Sequence, residues 1–177
     1  MPANQKIVIV SGAPGCERAA AVVKQLEKNF EGKESRVNIF SFLSLLNESK
    51  ISGEKFMDVL RKRAKGKQVD LFLNFRIINH LNLQVTYTGE RNVAVVFKEA
   101  AIATIKGEYE FSLPGSSIGP MQQVGADQFP EITALLGSSY PIINVELGKH
   151  VCGGVTTDRT PKYMADIIAS GINGVLC

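Results

Sequence analysis

Lys6-Ile-Val-Ile-Val-Ser11, running straight into Gly12-Ala-Pro-Gly-Cys-Glu-Arg18, decides the fold. The run from Lys6 to Val10 is β-branched, too short for a helix and too apolar to own a solvated face, so it predicts a central strand covered on both sides. Gly12, Pro14 and Gly15 break it with a turn. From Cys16 to Phe30 the apolar positions Ala19, Val22, Val23, Leu26 and Phe30 recur at helical spacing, with Lys24, Glu27 and Lys28 on the other side and Gly32 as a stop. Arg36 to Phe40 is a second short strand. A strand, a helix and a strand in this order predict a parallel pair with a right-handed crossover.

Further along, Ser41 to Asn47 reads as helix, and Ser52 as the cap of a helix that buries Phe56, Met57, Val59 and Leu60 and ends near Gly66. Val69 to Phe75 is a third strand. From Leu83 to Ser112 strand-like pieces alternate with turn pairs: Gln84–Thr88, Asn92–Phe97, Ala101–Ile105 and Glu108–Leu113 read as antiparallel hairpins. Leu113 to Gly125 is rich in glycine, proline and serine and reads as a long loop. Pro130 opens a short helix closed by Gly137, and Tyr140 to Leu147 is a strand. Thr160-Pro161 opens a last helix with Tyr163, Met164, Ile167 and Ile168 inward and Gly171 as its stop. The expectation is a three-layer α/β fold with a mixed sheet, a parallel βαβ start and antiparallel hairpins in the middle, built as one domain over residues 1–177.

With 45% apolar and 21% charged residues, the chain has the balance of a globular domain with a real core, which excludes disordered and fibrous classes. A net charge of +3 permits an anion but does not demand nucleic acid. Three cysteines, Cys16, Cys152 and Cys177, make a poor disulfide framework. No apolar run reaches the roughly 18 to 20 residues that span a bilayer. The reading is a cytoplasmic protein without a membrane segment.

The glycine turn carries the first functional expectation. A phosphate-binding loop, Gly-x-x-x-x-Gly-Lys-Ser/Thr, aims backbone N–H groups and a helix N-terminus at a polyphosphate. Gly12-Ala13-Pro14-Gly15-Cys16-Glu17-Arg18 resembles that loop as it occurs in nucleoside-monophosphate kinases of the adenylate kinase type, and Leu71–Arg76 is similar to the family's later strand. The resemblance implies a nucleotide or phosphate ligand held by Gly12, Gly15, Cys16 and Arg18. Glu17 stands where the family has its second glycine, Arg18 where it has lysine, Ala20 near the hydroxyl, and Asn74 in place of the strand's acid. A carboxylate at the loop mouth opposes a polyphosphate. The resemblance therefore implies a pseudoenzyme that binds a nucleotide without phosphoryl transfer. The other reading of the same residues is a tight strand-to-helix turn with Glu17 serving the helix dipole.

Two further readings come from the residues. His150 and Cys152, with His80 as another base, have the types needed for a thiolate nucleophile in a hydrolase or transferase. They are too few for a structural metal site, so no metal is expected. Ser116 and Ser117 lack the Gly-x-Ser-x-Gly elbow, and Tyr87, Phe97, Tyr109 and Phe111 read as packing groups. Arg61, Lys62, Arg63, Lys65 and Lys67 form the densest basic run, read first as a solvated helix face. Nucleic acid is not expected. An assembly protein acting through protein partners is the rival from another class.

Overall fold

The computed structural model describes residues 5–12, 16–32, 35–78, 83–109, 121–137, 140–148 and 160–177. In chain order these form β1 (Lys6–Gly12), α1 (Glu17–Asn29), β2 (Val37–Ser41), α2 (Phe42–Ser52), α3 (Phe56–Arg63), β3 (Leu71–Ile78), β4 (Leu83–Thr88), α4 (Arg91–Tyr109), β5 (Gln122–Gln123), α5 (Pro130–Leu136), β6 (Ile142–Gly148) and α6 (Thr160–Leu176). The six strands join in the order β2-β1-β3-β6-β4-β5. Parallel pairs link β1 to β2 and to β3, β3 to β6, and β4 to β5; β4 runs antiparallel to β6. The expected mixed, three-layer α/β architecture is what the chain builds.

The pleat of β1 and β3 explains the layers. Val8, Val10, Leu71, Leu73 and Phe75 face one core with α1, α4 and α6, whereas Ile7, Ile9 and Phe72 face the other with α2, α3 and α5. Strands covered on both sides need apolar residues at successive positions, which is why both read as continuous apolar runs. Helix α1 buries Ala19, Val22, Val23 and Leu26, as its spacing predicts. Asp70 ties the entry of the sheet: its Oδ2 accepts from the Ile7 N–H at 2.8 Å and its Oδ1 meets Lys6 Nζ at 3.0 Å.

Three expectations are corrected here. Asn92–Phe97 and Ala101–Ile105 are not strands of hairpins but parts of the single helix α4, in which Ala94, Phe97, Ala101 and Ile105 share the buried stripe. Valines and isoleucines give the segment strand propensity, yet burial along one helical face overrides it. The sheet's antiparallel contribution comes instead from β4 against β6. Ser52 ends α2 rather than capping the next helix; the cap that forms is Ser41, whose Oγ accepts from the Ser44 N–H at 3.3 Å. Gly171 does not stop α6, which continues to Leu176.

Gly171 is instead where α6 crosses α4. A Cβ built there would lie 2.5 Å from Phe97 Cε2, and one at Gly174 would lie 3.0 Å from Ala100 Cβ. Ser170 Oγ donates to the Ala100 carbonyl at 3.2 Å along the same seam. Phe97 has no exposed surface and little freedom to withdraw. Gly171→Ala is therefore expected to destabilise the fold by about 1–3 kcal/mol, although alanine is the better helix former by about 1 kcal/mol. Urea denaturation reads this, and adding Phe97→Leu should recover part of the loss; an unchanged midpoint for Gly171→Ala would show that the helices are not in close contact.

Candidate functional site

Along the α2, α3 and α5 side of the sheet, residue type changes abruptly from one end of the strands to the other. On β2, β1, β3 and β6 the row Phe40, Ile9, Phe72, Ile142 is apolar and buried, and it ends at the half-buried Thr88 of β4. The next row on the same face is polar on every strand that it crosses: Ser11 pairs with Asn74, Asn74 with Asn144, Asn144 with Thr86, and Thr86 with Gln122. One step further towards the carboxyl ends of the parallel strands, Arg76 pairs with Glu146, and Glu146 with Gln84. The opposite face stays apolar over the same length, with Phe75, Val145, Leu147, Val85 and Leu83 all buried. Strand fraying would expose both faces, so the change marks one face only.

The polar row is held by its own side chains. Asn74 Nδ2 donates to Asn144 Oδ1 at 2.7 Å, and Asn144 Nδ2 donates to Thr86 Oγ1 at 3.2 Å. Asn144 is only 7% exposed, while Asn74, Thr86 and Glu146 are half-buried and Arg76 is exposed. The chain thus lines up a fixed pair of amides and a hydroxyl below an exposed cation and a carboxylate. Such a surface can hydrogen-bond an amide or carboxylate ligand, and the lateral bonds fix the amides before any ligand arrives. One edge of it, Ser11 beside Asn74, lies on the two strands where the order β2-β1-β3 reverses, and open α/β sheets bind ligands beyond the carboxyl ends of strands at such a switch point.

The residues expected from the glycine turn do not assemble a phosphate cradle. A Cβ at Gly12 would lie 3.0 Å from Ala19 Cβ and 3.1 Å from Phe75 Cε1, so this glycine serves the close approach of α1 to the sheet. Cys16 is the N-cap position of α1 in extended backbone and makes no side-chain cap bond. Glu17 and Arg18 are exposed. Gly15 lies outside the described residues, as do His80, Ser116, Ser117, His150 and Cys152. In the basic run, Arg61 pairs with Asp58, Lys62 with Glu54 and Arg63 with Glu48, as on a solvated helix face.

Sequence reading missed Asn144, Thr86 and Glu146 and weighed Asn74 only as a kinase-strand residue. The signal was a single asparagine inside each of two apolar strands, Leu73-Asn74-Phe75 and Ile143-Asn144-Val145, since asparagine is depleted in strands.

No protein-family model matches the chain, and no curated protein matches it. Solved structures do. An N-acetylmuramoyl-L-alanine amidase, AmiC2 of Nostoc punctiforme, is 14% identical with a TM-score of 0.52, over 95% of this chain and 95% of that one. A putative carboxypeptidase A from Shewanella denitrificans is 11% identical with a TM-score of 0.56, over 97% of this chain and 57% of that one. A metallo-carboxypeptidase from Burkholderia cenocepacia is 14% identical with a TM-score of 0.55, over 99% and 59%. The chain spans a little over half the length of the two carboxypeptidases. These likenesses establish the fold. They correct the adenylate-kinase resemblance and with it the nucleotide-binding pseudoenzyme: the fold matched along the whole chain is that of an amidase and carboxypeptidases, and Gly12 is occupied by internal packing. Among the described residues no group of three or more His, Cys, Asp or Glu could hold a metal ion; the polar row offers amides and hydroxyls, and the pair beyond it adds the carboxylate Glu146 beside Arg76. The described residues do not fit a metal centre. No helix among them is long and apolar enough to cross a membrane.

Asn144→Ala leaves Asn74 Nδ2 and Thr86 Oγ1 without partners and should cost about 1–3 kcal/mol in urea denaturation, whereas Arg76→Gln, exposed at the rim, should change stability by less than about 0.5 kcal/mol. Gly12→Ala should lower the thermal midpoint by crowding Ala19 and Phe75, while ATP with magnesium leaves the midpoint of the unmodified chain where it was; a rise on adding nucleotide would restore the phosphate-loop reading.

Proposed function

We propose that this chain is a hydrolase of amide bonds whose substrate lies across the polar end of the sheet face. The observation that carries the reading is the Ser11, Asn74, Asn144, Thr86 row, a polar surface that begins midway along β3 and β6 and follows the apolar row Ile9, Phe72, Ile142 on the same face. The names of the similar structures, an amidase and two carboxypeptidases, agree on the class of bond. In this reading Asn74 hydrogen-bonds the substrate's amide group. Asn144 and Thr86 are positioning residues: they hold the Asn74 amide in one orientation and do not touch substrate themselves.

The nucleophile of the proposal is Cys152, with His150 or His80 as base. The support is positional. Ile78 and Gly148 are a register pair at the ends of β3 and β6; His80 follows the first in sequence, and His150 and Cys152 follow the second. In the reaction the thiolate attacks the carbonyl carbon, the histidine passes the thiol proton to the departing amine, and water then hydrolyses the thioester. The proposal also takes residues 1–177 as one domain, supported by the joining of all six strands in one sheet, and a reducing cytoplasmic location, supported by the free thiols Cys16 and Cys177.

Turnover of a panel of amino-acid 4-nitroanilides and short peptides, followed by amine release, tests the reading. Cys152→Ala should abolish turnover, and Asn74→Ala should lower kcat/KM by about 10²-fold, the range for removing one fixed hydrogen-bonding group. A chain that cleaves no amide in the panel, or whose Cys152→Ala variant keeps full activity, would overturn it.

A further inference from the structure

We propose that Arg76 and Glu146 together bind the two charged groups of a zwitterionic α-amino acid, the carboxylate on Arg76 and the ammonium on Glu146. The inference rests on reading this sheet face as the substrate-binding face, and it names the class of ligand held there. Arg76 and Glu146 are register partners on neighbouring parallel strands, on the same face as Asn74 and Asn144 and one step beyond them. Side chains in that relation stand about 4.8 Å apart at their origin, the spacing of adjacent strands.

Elsewhere opposite charges within reach close on each other: Lys6 on Asp70, Arg63 on Glu48 and Lys162 on Asp166 are bonded pairs. Arg76 and Glu146 share a register position, yet among the described residues neither makes an ion pair. Two opposite charges are thus held side by side and open. A ligand with one charge would satisfy one of them and leave the other beside it unmatched. An α-amino acid carries an acceptor anion and a donor cation on one carbon and answers both, with charge-assisted hydrogen bonds on each side. The ligand is the kind of product that amide hydrolysis releases.

Glycine, which has no side chain to confuse the comparison, is the probe. Backbone amide shifts of the full-length ¹⁵N-labelled chain are followed by NMR during titration with glycine, N-acetylglycine and glycinamide. Glycine should shift the Asn74–Ile78 and Asn144–Gly148 resonances with an affinity at least about tenfold above either blocked form, the effect of one charge-assisted contact. Arg76→Gln should bring glycine and glycinamide to equal affinity, and Glu146→Gln should do so for glycine and N-acetylglycine. The proposal is overturned if glycine binds no better than the blocked forms, or if its preference survives both substitutions. Binding is read without turnover. A chain that discriminates in this way but cleaves no amide loses the hydrolase reading alone, and one that cleaves amides while ignoring the two charges loses this inference alone.

Discussion

The hydrogen bond from Asn74 to Asn144 is the contact on which the candidate site depends. A six-stranded sheet covered on both faces has no use for amide side chains in its central strands, because a buried amide without a partner costs about 1–3 kcal/mol. Here the two central strands each carry one, and they answer each other at 2.7 Å, with Thr86 closing the line at 3.2 Å. The net gain from each bond is only about 1 kcal/mol. The penalty for misalignment is larger: a slip of one residue would turn Asn144 into the core formed with α4 and α6 and bring Val145 to the polar face. The row therefore fixes the register of β3, β6 and β4 as it presents polar groups on one face of all three.

What could be read in advance divides along physical lines. β1, α1 and β2 were legible because the apolar period changes from continuous to helical and back within residues 6 to 41, and each period has one structural meaning. α5 was legible from Pro130 and Gly137, residues whose backbone preferences start and stop a helix. α4 was not, because its β-branched residues carry strand propensity while the buried stripe of Ala94, Phe97, Ala101 and Ile105 is a tertiary fact. Gly171 misled in the same way: a glycine late in a helix reads as a stop, but here its missing side chain admits the Phe97 ring. The glycine turn was the costliest misreading. A glycine that ends a strand before a helix serves phosphate binding and close packing equally well, and only the neighbours of Gly12 separate them.

The site itself was hidden for a different reason. Asn74 and Asn144 stand 70 positions apart in sequence, and Asn144 and Thr86 stand 58 apart. No local pattern announces that they will meet, since the meeting depends on strand order and register together. Only the oddity of each asparagine in its own apolar strand was visible. An oddity of that kind has two outcomes in a folded chain: an internal partner or a ligand. In this protein the internal partner accounts for Asn144 at both ends of its amide, and engages Asn74 through its Nδ2 alone among the described residues.

That asymmetry bears on how function can sit on a shared fold. Likeness to an amidase and to carboxypeptidases at 11–14% identity establishes the path of the chain and nothing about its chemistry. The chemistry has to come from groups whose presence the fold does not require. The apolar row Ile9, Phe72, Ile142 is required, because α2, α3 and α5 pack there. The polar rows are not, since valine or isoleucine would serve the sheet equally well. Arg76 and Glu146 serve it least of all: Arg76 is exposed and Glu146 only half-buried, they hold no ion pair among the described residues, and they occupy adjacent register positions. β4 adds to the same face because it runs backwards. Its order along the chain, Gln84 then Thr86 then Thr88, lays Gln84 beside Glu146 and Thr86 beside Asn144, so the antiparallel strand continues both polar rows outward from the parallel core. On β1, β3 and β6 this face turns from apolar to polar along the strand, whereas β4 is polar throughout, with Thr88 beside Ile142, so the change of polarity belongs to the parallel strands and β4 only extends it.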